Sequence, residues 1–366
     1  MSAEGRAEPI RFFLPGPVYV REEVRREMLR PVVAHRSAEF RRVWEAISTA
    51  LSPIFRTARP CMTATGSSTL LMEAALVSLT ERSTLHLVNG AFAERWLAIA
   101  RSLGRDADEV SVPWGDAVAP ELVRAALRRK RYEAVTVVHN ETATGVLNPL
   151  AEISRAVHEE SSALVLADTV SSLAAARVET DAWGLDLVFA GVQKGLAAPP
   201  GLTVFTFSAA AERRAETVPH RGYYGDLLRY RDRQREGGPI TTPAIAECFA
   251  LARQLERIGE EGLEARWRRH SELAETAAEW AARHGVASAA AASARSPTVA
   301  CWRPPAGVAA RELVARLAGR GFTVGGGYGK WKQETFRIGH MGEVRQADLG
   351  ELLGAAGEEL ERWTAS

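Results

Sequence analysis

Between about residue 60 and residue 210, short β-branched runs alternate with longer helical patterns, and this rhythm narrows the possible folds more than any other feature. The strand candidates are LHLVN (85–89), EVSVP (109–113), AVTVVHN (134–140), ALVLAD (163–168), LDLVFAGV (185–192) and LTVFTFS (202–208). Helical patterns lie between several of them, from Gly66 to Leu79, Phe92 to Leu103, Pro120 to Lys130 and Pro149 to Glu160. Pro120 and Pro149 suit a first helical turn, where no N–H is needed. Strands that are apolar along their whole length, alternating with helices, imply an α/β fold with a mostly parallel sheet covered on both faces. Ligands in that architecture gather beyond the carboxyl ends of the strands, so the residues just after each run carry the functional information.

Past residue 240 the rhythm changes. From Ile245 to His284 the pattern reads as almost unbroken helix, followed by a small-residue stretch at 285–296. The remainder alternates strand (298–302), helix (309–319), strand, glycine turn, strand (335–340) and helix (347–363), a compact α+β unit. The expected division is an N-terminal arm (1–20), a large domain (21–255) and a small C-terminal domain (256–366). A chain of 366 residues is long enough for two such units.

Composition excludes some classes of function. A formal net charge of +1 gives no global attraction to nucleic acid or anionic membrane. Three cysteines without metal spacing argue against a disulfide framework and for a reducing compartment, and the expected location is cytoplasmic. No apolar run approaches a membrane span, and no metal is expected, His139 and His340 included. GxGxxG and GxxxxGK[ST] patterns are absent, which disfavours nicotinamide and P-loop nucleotides.

Four lysines stand against forty-two arginines. A surface cation tolerates arginine, whereas a Schiff base requires an amine that can lose its proton. Lys194 follows the apolar run 187–192 and precedes a small-residue and proline turn; a solvated lysine after a strand is the plain alternative. Asp168 ends ALVLAD, where a carboxylate serves either as a loop cap or as a cleft acid. An acid and a lysine at two strand ends of one sheet suit pyridoxal phosphate, with the amine joined to the aldehyde and the acid holding the pyridine nitrogen protonated. The segment TATGSST (63–69) runs into a helix and offers hydroxyls and amides to an anion. Ser/Thr caps open many helices without any ligand, so that segment alone decides nothing.

Together these residues resemble the class V, fold-type I pyridoxal-phosphate aminotransferases, particularly the alanine/serine–glyoxylate (serine–pyruvate) branch. The likeness runs through FLPGPVYV (13–20), HRSAEF (35–40), TGSST, NGAFAERW (89–96), HNETATGVLNPL (139–150), ADTVSS (167–172), VQKGLAAPPG (192–201), ITTPA (240–244), EEGLEARWRRH (260–270) and FRIGHMG (336–342). It implies a large domain built on a mostly parallel seven-stranded sheet with a smaller α+β domain behind it. It also implies that Lys194 is the Schiff-base lysine and Asp168 the partner of the pyridine nitrogen. Gln193 and Ser67, Ser68 and Thr69 match phosphate contacts, and Thr142 a hydroxyl near the phenolic oxygen. Phe92 stands where an aromatic ring lies over the pyridine; Trp96, a turn later, reads as core. Thr242 matches a threonine that reaches the phosphate of the neighbouring subunit, which implies a homodimer with active sites at the interface. On this pattern the phosphate meets hydroxyls and amides but little full positive charge.

Arg337 matches the arginine that grips a substrate α-carboxylate, a task suited to its planar fork. Gly16 is placed to let backbone approach the same carboxylate, or is a plain turn glycine. His35 and Arg36 correspond to a pair that binds substrate phosphate in phosphoserine-using relatives, or have a structural role. One departure is the lack of a tyrosine in EGGPITTP, where some relatives reach the neighbour's phosphate. The implied reaction is ping-pong transfer of an amino group from a small amino acid, alanine or serine, to glyoxylate or pyruvate. Phosphoserine with 2-oxoglutarate is the alternative. Gln193, in place of a histidine, and Cys301, within an expected strand, speak against a cysteine desulfurase. A non-catalytic protein on the same scaffold is disfavoured by the intact Asp168, Lys194 and Arg337 set.

Overall fold

A computed structural model describes residues 10–364, so the first nine residues of the expected N-terminal arm lie outside it. In chain order the strands are β1 (Phe12–Phe13), β2 (Met62–Thr65), β3 (Ser83–Val88), β4 (Asp106–Ser111), β5 (Ala134–Val138), β6 (Asn140–Glu141), β7 (Val146–Leu147), β8 (Leu164–Asp168), β9 (Leu187–Gly191), β10 (Leu202–Phe207), β11 (Ala287–Ser288), β12 (Val299–Arg303), β13 (Thr323–Gly326) and β14 (Phe336–Gly339). Seven of them form the main sheet in the order β2-β10-β9-β8-β5-β3-β4. From β4 through β9 the pairings are parallel. The run LTVFTFS does not continue the parallel set, since β10 lies antiparallel to both β9 and β2. An apolar run reveals burial on two faces but not strand direction, which the connection decides.

Both faces of this sheet are covered. Val135, Val137, Val188 and Ala190 pack on one side with Ile47, Leu51, Ile153 and Leu251. Their strand neighbours Ala134, Val138, Leu187 and Phe189 pack on the other with Leu71, Leu76, Trp96 and Leu97. The period-two side-chain alternation of a strand assigns successive residues to the two layers. Trp96 is buried there and donates Nε1–H to the Met72 carbonyl at 2.9 Å.

The second sheet, β1-β13-β14-β12-β11, has its own core around Leu313, Leu317, Phe336, Ile338 and Leu352. Its edge strand β1 comes from the N-terminal segment and runs parallel to β13. The stretch 245–284 is two helices rather than one, Ile245–Glu261 and Leu263–Arg283, broken at Gly262 with φ +79. The left-handed φ that ends the first helix is one glycine adopts freely. No helix among the described residues is long and apolar enough to cross a membrane.

Candidate active site

At the carboxyl ends of β5, β8 and β9 a cavity opens. It is lined by Ser67, Ser68, Thr69, Phe92, Thr142, Asp168, Gln193 and Lys194, with Arg95, Asn140, Val170 and Ser171 filling out its wall. The chain thus brings together eight of the residues singled out from the sequence. Strand order explains the meeting. The strand β8 delivers Asp168, and the turn leaving its neighbour β9 delivers Lys194.

Asp168 is buried, and its Oδ1 accepts the Val170 N–H at 2.8 Å. Burial pushes its pKa up to about 6, opposed by that hydrogen bond and by the charges of Lys194 and Arg95. Lys194 is buried too, and donates from Nζ to the Pro15 carbonyl at 2.5 Å. Its pKa falls to about 8, through burial first and then the Arg337 guanidinium, against the pull of Asp168 and Glu141. An amine that releases its proton near neutrality can act as nucleophile and base.

The loop after Lys194 is held tightly. A Cβ on Gly195 would lie 2.4 Å from the Leu173 carbonyl oxygen, and Ala197 adopts φ +55 while its N–H bonds the Lys194 carbonyl at 2.8 Å. Gly16 touches the lysine stem itself. A Cβ there would sit 2.4 Å from Lys194 Cδ, at a φ of +124. Its small size therefore makes room for the lysine.

At the other end of the cavity, Ser67 and Ser68 precede the helix Thr69–Leu79. The Ser68 and Thr203 hydroxyls lie 3.3 Å apart. Gly191 closes β9 opposite them. A Cβ on it would come within 2.6 Å of Ser68 Oγ and 2.7 Å of Gln193 Oε1. Hydroxyls, an amide side chain and a helix N-terminus around a space kept clear by glycine fit a phosphate group. The donor set of buried acid, lysine and aromatic ring around the remaining space fits the pyridine aldehyde that bears it. The expectation of little positive charge at this end needs correction. Arg95 lines the cavity with its NH1 3.4 Å from Thr69 Oγ1.

Phe92 opens the helix Ala91–Ser102, and Lys194 Nζ is 5.9 Å from its ring centroid. Glu141 fixes that helix start, its Oε2 accepting the N–H groups of Phe92 at 2.9 Å and Ala93 at 3.2 Å. Burial raises the Glu141 pKa to about 7 despite these bonds. A Cβ on Gly90 would collide with Glu141 Cγ at 2.2 Å, so glycine is what lets the carboxylate reach the helix. On the far wall the Thr142 and Ser171 hydroxyls are 2.5 Å apart, and Asn140 Nδ2 donates to the Ser171 carbonyl at 2.8 Å.

Arg337 comes from β14 of the second sheet. Its Nε donates to the Gly326 carbonyl at 2.9 Å and its NH1 to the Thr142 carbonyl at 3.2 Å, so it meets the cavity beside Thr142. Burial lowers its pKa. Three residues singled out from the sequence are not brought here within one chain. His35 and Arg36 line a separate cavity with Arg41, Arg233 and Thr241. Thr242, next to Thr241, is exposed and lines neither wall of the Lys194 cavity.

Sequence reasoning missed Arg95, Asn140, Glu141 and Ser171. Each lies within a segment already quoted (NGAFAERW, HNETATG, ADTVSS), so the signal was their adjacency to motif residues.

Residues 63–328 match the aminotransferase class-V family. An uncharacterised aminotransferase of Methanocaldococcus jannaschii is 36% identical over 90% of this chain and 87% of its own length. The serine–glyoxylate aminotransferase of Methylorubrum extorquens is 31% identical over 97% of this chain and 92% of its own. Among solved structures, an aspartate aminotransferase of subgroup IV from Thermus thermophilus superposes with a TM-score of 0.90 at 33% identity, covering 96% of this chain and 99% of that one.

Proposed function

The chain belongs to the class-V aminotransferases, which depend on pyridoxal phosphate, and on that premise we propose that it transfers the amino group of alanine or serine to glyoxylate or pyruvate. The observation that carries the reading is the meeting of Asp168 and Lys194 in one cavity, with Arg337 of the second sheet bonded to the carbonyl of Thr142 in its wall. In this reading Lys194 holds the cofactor, and Phe92 covers its ring. Asp168 faces its ring nitrogen, with Thr142 near the phenolic oxygen. Ser67, Ser68, Thr69 and Gln193 take the phosphate.

When bound, the cofactor supplies a protonated pyridine ring that acidifies the Cα–H of an attached amino acid. Everything else is done by the chain. Asp168 keeps a proton on the ring nitrogen, because a buried carboxylate seeks a cationic partner. The Lys194 amine, set free when the incoming amino acid takes its place, would serve as the base that holds the Cα proton and as the acid that gives it back. Arg337 binds the α-carboxylate through the N–H groups that Gly326 and Thr142 do not use. The second half-reaction repeats these roles in reverse with the oxo acid.

Further support concerns assembly and setting. Leu29 and Val32 are each 83% exposed on the segment leading to His35 and Arg36, an apolar surface suited to a second copy. A homodimer would let Thr242, with His35 and Arg36, complete the neighbour's site. Three buried free cysteines suit a reducing, cytoplasmic setting. The division at residue 256 into large and small domains belongs to the same reading.

The test is a donor and acceptor panel on the purified enzyme. Alanine, serine, aspartate and phosphoserine are paired with glyoxylate, pyruvate and 2-oxoglutarate. Parallel double-reciprocal lines with alanine or serine and the highest kcat/KM for glyoxylate or pyruvate are expected. A preference for phosphoserine with 2-oxoglutarate, or no turnover with any pair, overturns the assignment.

A further inference from the structure

The glycine turn between β13 and β14 carries Tyr328 between Gly327 and Gly329, and three side chains around the cavity converge on it. Its ring stacks on Phe92 with centroids 5.5 Å apart and planes 16° from parallel. The Arg337 guanidinium carbon lies 5.3 Å from the Tyr328 ring centroid. Its hydroxyl accepts from Arg95 NH2 at 3.3 Å. Tyr328 therefore joins the ring over the cofactor space, the arginine assigned to the α-carboxylate, and a cation of the large domain.

The turn that presents it is rigidly placed. A Cβ on Gly327 would lie 2.2 Å from the Trp331 carbonyl oxygen, and one on Gly329 would lie 2.7 Å from Trp114 Cη2. Trp331 meets Trp114 edge-on at 5.4 Å, and Trp114 donates Nε1–H to Glu94 Oε1 at 2.9 Å. Thr335 closes the turn by donating its hydroxyl to the Trp331 carbonyl at 3.0 Å. The turn is thus docked on the helix Ala91–Ser102 and on Trp114, and the position of Tyr328 is set by packing rather than by solvent.

We propose that Tyr328 is a positioning residue that holds Arg337 in place for the substrate carboxylate before substrate arrives. The physical reason lies in the arginine. A half-buried guanidinium bonded to two carbonyls still has freedom to swing, and each orientation lost on binding costs affinity. The π face of Tyr328 removes that freedom on one side, while Arg95 and Phe92 fix the tyrosine. Among neighbouring charges Arg337 does most to lower the Lys194 pKa, which agrees with a guanidinium held toward the reacting space. This inference rests on the assignment of Arg337 above.

With 36% of its surface exposed, Tyr328 can be truncated without leaving a buried void. The experiment compares Tyr328→Ala, Tyr328→Phe and Arg337→Lys holoenzymes. For each, KM and kcat for the amino donor are measured, with competitive inhibition by propionate, which has the carboxylate and no amine. Tyr328→Ala is expected to raise both KM and the propionate inhibition constant about tenfold while kcat changes less than about threefold. Tyr328→Phe, which keeps the ring and loses the Arg95 bond, should fall between wild type and Tyr328→Ala. Unchanged constants in Tyr328→Ala, or a fall in kcat with KM and inhibition intact, overturns the proposal. Should Arg337→Lys leave propionate inhibition unaltered, the assignment of Arg337 itself fails. Should it weaken inhibition while Tyr328→Ala does not, only the role of Tyr328 fails.

Discussion

Lys194 is buried, and burial first, then the Arg337 guanidinium, outweighs the pull of Asp168 and Glu141, so its amine gives up its proton near pH 8 instead of 10.5. In the cofactor-free protein, attachment of an aldehyde at this position should accelerate as pH rises through about 8, read as borohydride-trapped label on the Lys194 peptide. The same shift acts on folding. Below pH 8 the amine is charged in both folded and unfolded chains, and burying the charge opposes the fold. Between about 8 and 10.5 only the unfolded chain keeps the proton, so the opposition is relieved as pH rises. The cofactor-free protein should gain on the order of 3 kcal/mol of stability across that window from this residue. Lys194→Met should flatten the gain in denaturant titrations. Replacing Lys194 by alanine should cut turnover at least about 100-fold with the fold retained. Asp168 and Lys194 were legible in the sequence because each stands just past an apolar run, where a parallel sheet exposes its ends. Arg95 and Tyr328 were not, because nothing in their spacing tells which neighbours they will meet.

At the scale of elements, the anion cradle depends on one strand end. Gly191 terminates β9 where a methyl group would fall 2.6 Å from Ser68 Oγ. Gly191→Ala should weaken retention of the phosphate-bearing cofactor at least about tenfold with little change in the melting temperature of the cofactor-free protein. Equilibrium dialysis followed by absorbance measures the first quantity and a thermal melt the second. The turn beyond it stores strain instead. Ala197 sits at φ +55, a conformation costing a non-glycine residue about 1 kcal/mol. Ala197→Gly should therefore hold or raise the melting temperature, whereas Gly195→Ala, aimed at the Leu173 carbonyl 2.4 Å away, should lower it. Element type was readable from periodicity, and the order of strands and helices followed from it. The antiparallel direction of β10 and the break at Gly262 were not readable, since burial on two faces looks the same in either direction and a single glycine is tolerated in many helices.

Across the whole molecule, a buried ionic network ties the two sheets to the lysine loop. Glu343, just past β14, accepts from Arg21, Gln254, Arg257 and Arg266 at 2.9–3.3 Å. Arg266 in turn donates to the Gly195 carbonyl at 2.9 Å. Burial alone would raise the Glu343 pKa, but Arg266, Gln254 and Arg257 hold it well below the usual carboxylate range. Its contribution is therefore present above the ordinary carboxylate pKa and disappears as pH falls toward the folded value. Glu343→Gln leaves Arg21 without a carboxylate and reduces Arg257 and Arg266 to Glu23 and Glu261; it should cost about 3 kcal/mol, with less dependence of stability on acid pH. Such convergence of residues more than three hundred positions apart, Arg21 and Glu343 among them, cannot be read from local pattern. Nor can contributions from a second copy, for which Thr242, His35 and Arg36 are the candidates.

The most direct test of the account is to reduce the purified holoenzyme with borohydride, digest it and locate the modified lysine by mass spectrometry. The account predicts loss of the visible absorption band and a single pyridoxyl group on the peptide containing Lys194. Modification at Lys130, Lys330 or Lys332, or no modification at all, would contradict it.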